Sequence, residues 1–318
     1  MKKTDRLLVF GGNGFVGREL ISVLKKRGFK QIISLNRSAP KNKIPGVQYF
    51  SRVDLTRPQS FAKIIRARDW VVNLAGLVSF LRKDRSKVFE INALGSLNLL
   101  RVCEQKKVAR LVQISSSAAL GFGQKKISET TEFAWEKFQN LTYSHSKFFP
   151  NFQIDSAKIP TNIVFPPLVL GPGDPTSAVR IFDFVKNKKR IFVPDGTNAF
   201  IDVRDLATAI RLILAKAKPK ENFIVLGENL SFQKLFGTAA RVLGQKTAVK
   251  ILPQNLCSLA SGCARAAEFF GASVPTENIF LGFKKRVFDD RKIRRALGFR
   301  PQFSLANSLR DSFKILKK

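Results

Sequence analysis

The sequence predicts an α/β protein built on a doubly wound parallel sheet, with a smaller mixed α/β region at its C-terminal end. Three observations support this fold class. Apolar strands alternate with amphipathic helices over the first half of the chain, a glycine-rich turn directly follows the first strand, and the alternation loosens beyond Gly171. We therefore predict a first domain over residues 1–170, to which residues near 190–226 return, and a second domain over 171–318.

Apolar runs and helical periodicity give the elements in chain order. Strands are predicted at residues 7–10, 31–35, 47–53, 70–74, 111–114 and 162–165. Helices are predicted at 15–26, 61–66 and 88–105, and a further helix begins at Tyr143. Beyond Gly171 we expect helices at 177–185, 206–216, 232–243 and 256–270 and a short strand at 223–226.

Composition indicates a soluble globular protein. The 318 residues are 44% hydrophobic and 25% charged, enough for one large or two unequal domains. The start, MKKTDRLLVF, imitates a signal peptide, but Asp5 interrupts it and glycines replace a cleavage site. No uncharged stretch approaches the ~20 residues of a spanning helix. Cys103, Cys257 and Cys263 read as small buried hydrophobes in a reducing compartment, so we expect a cytoplasmic protein.

The chain is strongly basic, with a formal net charge of +33. Such a charge would suit nucleic acid or an anionic membrane. The cations are spread over many short clusters, however, and neither an arginine-rich arm nor an aromatic-interleaved RNA-binding pattern is present. We expect a solvated basic surface without a nucleic-acid partner, and leave peripheral contact with anionic surfaces open.

The motif GGNGFVG lies between the first strand and the first helix. Gly11, Gly14 and Gly17 allow a tight turn, close approach of a pyrophosphate and packing of the helix on the sheet. With the intervening Phe15 and Val16, they predict a dinucleotide-binding turn.

The end of the second strand bears on the cofactor. A carboxylate there would accept a hydrogen bond from a ribose hydroxyl and favour NAD(H). This chain instead has Asn36 and Arg37, and the arginine suits a 2′-phosphate. We therefore expect NADP(H), with NAD(H) as the alternative. After the third strand, Asp54 and Leu55 suit contact with adenine, although an aspartate here also suits a turn.

The sequence YSHSK follows a strand that ends in three serines. Tyr143 and Lys147 are four residues apart, so a helix places them on one face. A lysine ammonium ~4–5 Å away would supply roughly 4 kcal/mol, enough to lower the pKa of a phenol from ~10 to about 7. The pair therefore predicts a proton-transfer site.

Read in order, nine segments resemble the extended short-chain dehydrogenases/reductases over essentially the whole chain. More narrowly, they resemble the NAD-dependent epimerase/dehydratase group and its dihydroflavonol-reductase-like and 3β-hydroxysteroid-dehydrogenase-like branch. The segments are GGNGFVG, VDL at 53–55, NLAG at 73–76, INALGSLNLL at 91–100, ISSSAALG at 114–121, YSHSK, FPPLVLGPGD at 165–174, FIDVRDLA at 200–207 and LGFRP at 297–301.

The resemblance implies roles for individual residues. Tyr143 would exchange the proton, Lys147 would bind the nicotinamide ribose and lower the pKa of the phenol, and Ser116 would hydrogen-bond the substrate oxygen. Further residues would lie around the cofactor: Asn92 near the nicotinamide, Ala75 and Gly76 beneath it, and the segment from Pro166 to Leu168 at the carboxamide.

Three departures from the family pattern matter. Pro150 lies in the same helix as Lys147 and predicts a kink beside the lysine. Phe165 occupies the place of an arginine that usually precedes the first proline of its segment. Asn198 lies where sugar-nucleotide enzymes carry a diphosphate-binding arginine, which argues against such a substrate.

The sequence thus predicts an NADP(H)-dependent oxidoreductase acting on a small or lipophilic carbonyl or alcohol, since the loop at residues 77–81 is apolar. Two alternatives remain: a sugar-nucleotide epimerase or dehydratase, and a non-catalytic NADP-binding scaffold with a basic interaction surface. A homodimer is left open, and no metal site is expected.

Overall fold

The computed structural model describes residues 1–138 and 140–316. The strands are β1 (Leu7–Phe10), β2 (Ile32–Leu35), β3 (Val47–Phe50), β4 (Trp70–Asn73), β5 (Arg110–Ile114), β6 (Thr161–Phe165), β7 (Leu168–Leu170), β8 (Arg190–Pro194), β9 (Thr197–Asp202), β10 (Phe223–Ile224), β11 (Glu228–Ser231) and β12 (Ala248–Leu252).

The helices alternate with these strands. They are α1 (Phe15–Lys26), α2 (Arg85–Phe89), α3 (Gly95–Lys106), α4 (Thr142–Asp155), α5 (Ser177–Val185), α6 (Val203–Lys216), α7 (Phe232–Val242), α8 (Cys257–Phe269), α9 (Thr276–Gly282), α10 (Arg291–Leu297) and α11 (Leu305–Leu316). In the described part of the chain, no helix has the length and apolarity needed to cross a membrane.

Seven parallel strands form the main sheet, in the order β10-β6-β5-β4-β1-β2-β3. The order reverses beside β1, which gives a doubly wound sheet and confirms the predicted fold class. The chain returns to this sheet late, since β10 pairs with β6. Only part of the predicted returning segment 190–226 does so, because β8 pairs with β12 and β9 pairs with β7 and β11 in two separate small sheets. Helix α6 packs on the same core, where Leu206 and Ile210 lie in one apolar cluster with Leu7 and Val9.

A carboxylate joins two of the segments that resemble the family. Asp205, in α6, accepts hydrogen bonds from the backbone N–H groups of Gln302 at 3.0 Å and Phe303 at 3.1 Å. The side chain is almost fully buried, and burial raises its pKa while these two bonds lower it. The segment FIDVRDLA therefore anchors the chain just beyond LGFRP.

Two predicted helices differ in the structure. Residues 61–66 form turns, because Arg6 donates to the carbonyl of Ile64 at 2.8 Å and the backbone N–H of Arg66 donates to Asp69 at 2.7 Å. Side chains thus bind backbone groups that a helix would need. The helix predicted at 88–105 is continuous in path but contains a π-turn at Glu90–Leu94. Cys263, expected to be buried, is exposed.

The glycine turn has no room for side chains. Gly11 has φ +77°, a left-handed conformation that favours glycine. A Cβ added at Gly17 would lie 2.3 Å from the carbonyl oxygen of Gly11 and 2.6 Å from the Cα of Gly12. Helix α1 can therefore approach the end of β1 only because residue 17 lacks a side chain.

We expect Gly17→Ala to lower the free energy of unfolding by about 1–3 kcal/mol, because the added methyl group meets backbone that cannot rotate away. Gly237→Ala is the matched control, since a Cβ at Gly237 in α7 meets nothing within 4 Å. Its better helix propensity should raise stability by up to about 1 kcal/mol. Urea denaturation measures both changes, and equal effects would contradict the packing argument.

Candidate active site

The loops that carry the predicted site residues share one edge of the sheet. Strands β1, β4, β5 and β6 run parallel, so the residues that follow them lie at the same carboxyl edge. Gly11 follows β1, Ala75 and Gly76 come just after β4, Ser116 follows β5, and Pro166 follows β6. Parallel pairing therefore collects residues that are far apart in the sequence.

Lys147 reaches the loop after β4. A Cβ placed on Gly76 would lie 2.9 Å from Lys147 Nζ and 3.0 Å from Asn92 Oδ1, so the ammonium, the amide and the bare glycine backbone converge. Helix α4 is assigned continuously through Pro150, from Thr142 to Asp155. Any side chain on Gly76 would fill the space beside the ammonium.

Tyr143 is buried beside Ser116 and Phe80. Its ring meets the Phe80 ring edge-on, with centroids 4.8 Å apart. Burial raises the pKa of the phenol to about 12, a hydrogen bond with the Ser116 hydroxyl lowers it, and the negative charge of Glu277 raises it. The phenol is therefore protonated at neutral pH and is placed to donate a proton.

The sequence-based expectation that Lys147 makes the phenol acidic is wrong for this structure. Burial dominates both groups: it raises the pKa of Tyr143 and lowers the pKa of Lys147 to about 8. Desolvation disfavours the charged form of each side chain. At neutral pH the tyrosine consequently keeps its proton, and the lysine remains mostly charged but holds its proton less firmly.

Glu277, in α9, binds the first turn of α4. Its carboxylate accepts from the backbone N–H of Tyr143 at 2.9 Å, from the backbone N–H of Ser144 at 3.0 Å and from the Ser144 hydroxyl at 2.7 Å. Burial raises its pKa, while these bonds lower it. Sequence reasoning missed this residue because it lies 134 positions from Tyr143 and no motif marks it.

Asn92 ties the loop at residues 77–81 to α4. Its Oδ1 accepts from the Leu77 backbone N–H at 2.8 Å, and its Nδ2 donates to the Leu77 carbonyl at 2.9 Å and to Ser146 Oγ at 3.1 Å. The Ser146 hydroxyl in turn donates to the carbonyl of Tyr143 at 2.7 Å. Asn92 lies in the π-turn, a feature frequent at functional sites. Ser146 was not singled out from the sequence.

Ser115 and Asn151 support α4 next to the internal proline. The Ser115 hydroxyl donates to the carbonyl of Lys147 at 3.1 Å and accepts from Asn151 Nδ2 at 3.0 Å. Because Pro150 lacks an N–H, this part of the helix has lost one of its own backbone bonds. The serine therefore fastens the helix to the end of β5 close to the turn that contains Pro150.

The turn after β1 fits a phosphate group. Helix α1 begins after Gly14 and has no side-chain cap, so its first N–H groups are available to a ligand. Asn36 Oδ1 accepts from the Asn13 backbone N–H at 2.7 Å, and its Nδ2 donates to Ser34 Oγ at 2.9 Å. Asn36 thus shapes the turn, and Phe15 and Val16 begin the helix.

The residues predicted to meet the adenosine end lie near one another. Arg37 is exposed, and its positive charge acts on Asp54. Burial raises the pKa of the Asp54 carboxyl group. Hydrogen bonds from Thr56 and the charges of Arg57 and Arg37 lower it further than burial raises it, so the net shift is downward. Asp54 Oδ1 accepts from the Thr56 N–H at 2.9 Å, which makes it a turn aspartate as well. Leu55 is buried in the core.

The remaining predicted residues have backbone partners. The carbonyl of Pro166 accepts from the Ser117 N–H at 2.9 Å, and the Ala75 N–H donates to Asn73 Oδ1 at 3.1 Å. Leu168 begins β7, half-buried. His145 packs against Phe89, with ring centroids 6.1 Å apart.

A doubly wound sheet, a glycine turn at β1 and a Ser–Tyr–Lys group at the carboxyl edge define an extended short-chain dehydrogenase/reductase. The family model described as "NAD dependent epimerase/dehydratase family" matches residues 7–227, and the chain belongs to this family. It is therefore an oxidoreductase that uses a nicotinamide dinucleotide.

Named relatives agree with this assignment, and solved structures share the fold. The 2-alkyl-3-oxoalkanoate reductase of Stenotrophomonas maltophilia is 25% identical over 75% of this chain and 76% of its own length. The 3-beta-hydroxysteroid dehydrogenase of Mycolicibacterium neoaurum is 25% identical over 58% and 53%. The crystal structure of gox2253 has a TM-score of 0.83 at 23% identity, covering 99% and 98% of the two chains. DesIV of Streptomyces venezuelae, a dTDP-glucose 4,6-dehydratase with NAD and TYD bound, has a TM-score of 0.76 at 19% identity over 98% and 97%.

We expect Lys147→Met to raise the free energy of unfolding at pH 7, without added nucleotide, by up to about 3 kcal/mol, because one unit of pKa shift corresponds to about 1.4 kcal/mol. Folding lowers this pKa from 10.5 to about 8, so the cost of the charged lysine is complete below pH 8 and vanishes as the pH rises towards 10.5. Denaturation curves at several pH values measure it. Lys106→Met, at an exposed position in α3, is the control, and no gain over that control at pH 7 would contradict the expectation.

Proposed function

We propose that this protein is an NADP(H)-dependent oxidoreductase that interconverts a carbonyl and an alcohol on a small or lipophilic substrate. The observation that carries the proposal is the buried phenol of Tyr143 beside Ser116, on the same helix as a lysine whose ammonium meets Gly76 and Asn92. A protonated acid and a cation lie at the sheet edge where a dinucleotide fits.

The two parts of the chain would divide the work. Residues 1–170, together with α6 and β10 from the segment predicted to return, would hold the dinucleotide, and the rest of 171–318 would cover the substrate. Gly11, Gly14 and Gly17 would admit the pyrophosphate to the start of α1. Arg37 would bind the 2′-phosphate of NADP(H), and Asp54 would lie near the adenine.

In the reducing direction, the nicotinamide supplies a hydride to the carbonyl carbon when it is bound. Ser116 would hold the carbonyl oxygen through its hydroxyl, and Tyr143 would give that oxygen its proton. Lys147 would bind the nicotinamide ribose, and the backbone from Pro166 to Leu168 would meet the carboxamide. The high pKa of the phenol supports donation rather than removal of a proton at neutral pH.

The surroundings of the phenol support a lipophilic substrate. Phe80 meets Tyr143 edge-on and belongs to the apolar loop at residues 77–81. Two relatives are named for reactions at a carbonyl or hydroxyl of lipophilic molecules, an oxoalkanoate and a hydroxysteroid. Asn198 occupies the place of a diphosphate-binding arginine, which disfavours a sugar nucleotide.

We expect Tyr143→Phe to lower kcat for NADPH-dependent reduction of lipophilic ketones by roughly 10²- to 10⁴-fold, because the general acid is lost. NADPH affinity, followed by nucleotide fluorescence, should change little. Tyr49→Phe is the matched control, since this residue is the chain's only other tyrosine and its hydroxyl accepts from the Ile44 N–H. Retained turnover in Tyr143→Phe would exclude Tyr143 as the general acid. Turnover of a UDP-sugar by protein that keeps NAD tightly bound would favour an epimerase instead.

We expect Arg37→Ala to weaken NADPH binding by roughly 10- to 100-fold and NADH binding hardly at all, because only NADPH carries the 2′-phosphate. Titration calorimetry measures both affinities. Arg57→Ala is the control, a second exposed arginine that acts on Asp54. Equal losses for the two cofactors, or no loss for either, would refute the assignment.

A further inference from the structure

A second buried cation lies close to the proposed site. Arg286 follows α9 and is only 5% exposed. Its backbone N–H donates to Thr197 Oγ1 at 2.9 Å, and the Thr197 hydroxyl donates to the carbonyl of Arg286 at 3.2 Å. Thr197 thus fixes the residue against the start of β9, so its burial is built into the fold.

The guanidinium group is not paired within the described residues. Its Nε is buried and has no hydrogen-bond partner there, and no carboxylate among those residues lies within 4 Å of it. Burial lowers the pKa of Arg286 to about 10, which Glu277 counteracts only in part, so the group remains a cation at neutral pH. A buried, unpaired cation costs several kcal/mol and calls for an explanation.

Glu277 connects this cation to Tyr143. Its charge acts on Arg286 and on Tyr143, so both side chains lie within electrostatic reach of one carboxylate. That carboxylate is already occupied, because it accepts three hydrogen bonds from Tyr143 and Ser144. Arg286 therefore has donors that no described residue uses, and it shares Glu277 with the phenol as an electrostatic neighbour.

We propose that Arg286 binds a carboxylate carried by the substrate itself, which narrows the substrate class to oxo acids and the corresponding hydroxy acids. This inference rests on the proposed function. The planar guanidinium donates to a carboxylate through two parallel bonds, and one buried arginine matches one negative charge. The carboxylate takes no part in the chemistry: the ketone receives hydride from the nicotinamide and a proton from Tyr143, and becomes an alcohol.

The test compares oxo acids of increasing chain length with their methyl esters, using NADPH oxidation as the readout. Wild-type protein should prefer an acid over its ester by roughly 10- to 100-fold in kcat/KM. Arg286→Gln should abolish this preference, mainly through a higher KM for the acid, and Arg286→Lys should restore part of it. Arg265→Gln, at an exposed position in α8, should keep the preference.

Other outcomes would overturn the inference. Equal use of acids and esters by the wild-type protein would refute it, as would a preference that survives in Arg286→Gln. Arg85, an exposed arginine whose charge also acts on Glu277, is the alternative residue for binding the substrate carboxylate. Loss of the preference for the acid in Arg85→Gln alone would show that the exposed Arg85 binds the carboxylate, and would refute the role of Arg286.

A binding measurement separates this inference from the proposed function. Calorimetric titration of the hydroxy acid into protein with NADP⁺ requires no turnover. Binding that is lost in Arg286→Gln would support the carboxylate site even if no substrate were reduced, whereas binding unchanged in Arg286→Gln would refute it. Arg286→Lys, which keeps the charge, serves for both measurements if circular dichroism shows that Arg286→Gln does not fold.

Discussion

The burial of an acid and a base on one face of α4 is the constraint on which the rest of the site depends. Tyr143 and Lys147 are each 7% exposed. Removing them from water favours their neutral forms, so the tyrosine keeps its proton and the lysine holds its own less firmly. Such a pair is costly to assemble, and the surrounding contacts fix the helix that carries it.

Those contacts come from every side of α4. Glu277 binds the first turn, and Asn92 joins Ser146 to the loop at residues 77–81. Ser115 binds the carbonyl of Lys147 near Pro150. Residues 143–147 of α4 are therefore fixed by side chains from three other segments. A carboxylate from α9 in this set means that the C-terminal part of the chain influences the proton affinity of the phenol directly, through its charge.

Features that local physics determines were predictable from the sequence. The glycine turn follows from Gly11 and Gly17, which have no room for a Cβ, and α1 has the bounds that periodicity predicts. The doubly wound order follows from strand and helix alternation. The position of Tyr143 and Lys147 on one face of α4 was predictable because residues four apart on a helix are neighbours.

Features that depend on distant contacts were not predictable. Glu277 and Arg286 carry no motif, and their place beside α4 exists only after the C-terminal segment has packed. The spacing of apolar residues does not reveal the π-turn around Asn92. Residues 61–66 form turns instead of the predicted helix because the side chains of Arg6 and Asp69 bind their backbone groups. The proton affinity of Tyr143 was misjudged because the spacing gives the neighbouring charge but not the depth of burial.

The most direct test of the account is a spectroscopic titration of Tyr143 in a Tyr49→Phe background, which leaves one tyrosine in the chain. If burial sets the proton affinity of the phenol, it stays protonated past pH ~10, where an exposed tyrosine is half ionised. Glu277→Gln should then shift its ionisation to lower pH, while Glu268→Gln should not. Tyrosinate absorbance near neutral pH would show that the lysine, not burial, sets the proton affinity of this site, and would contradict the account.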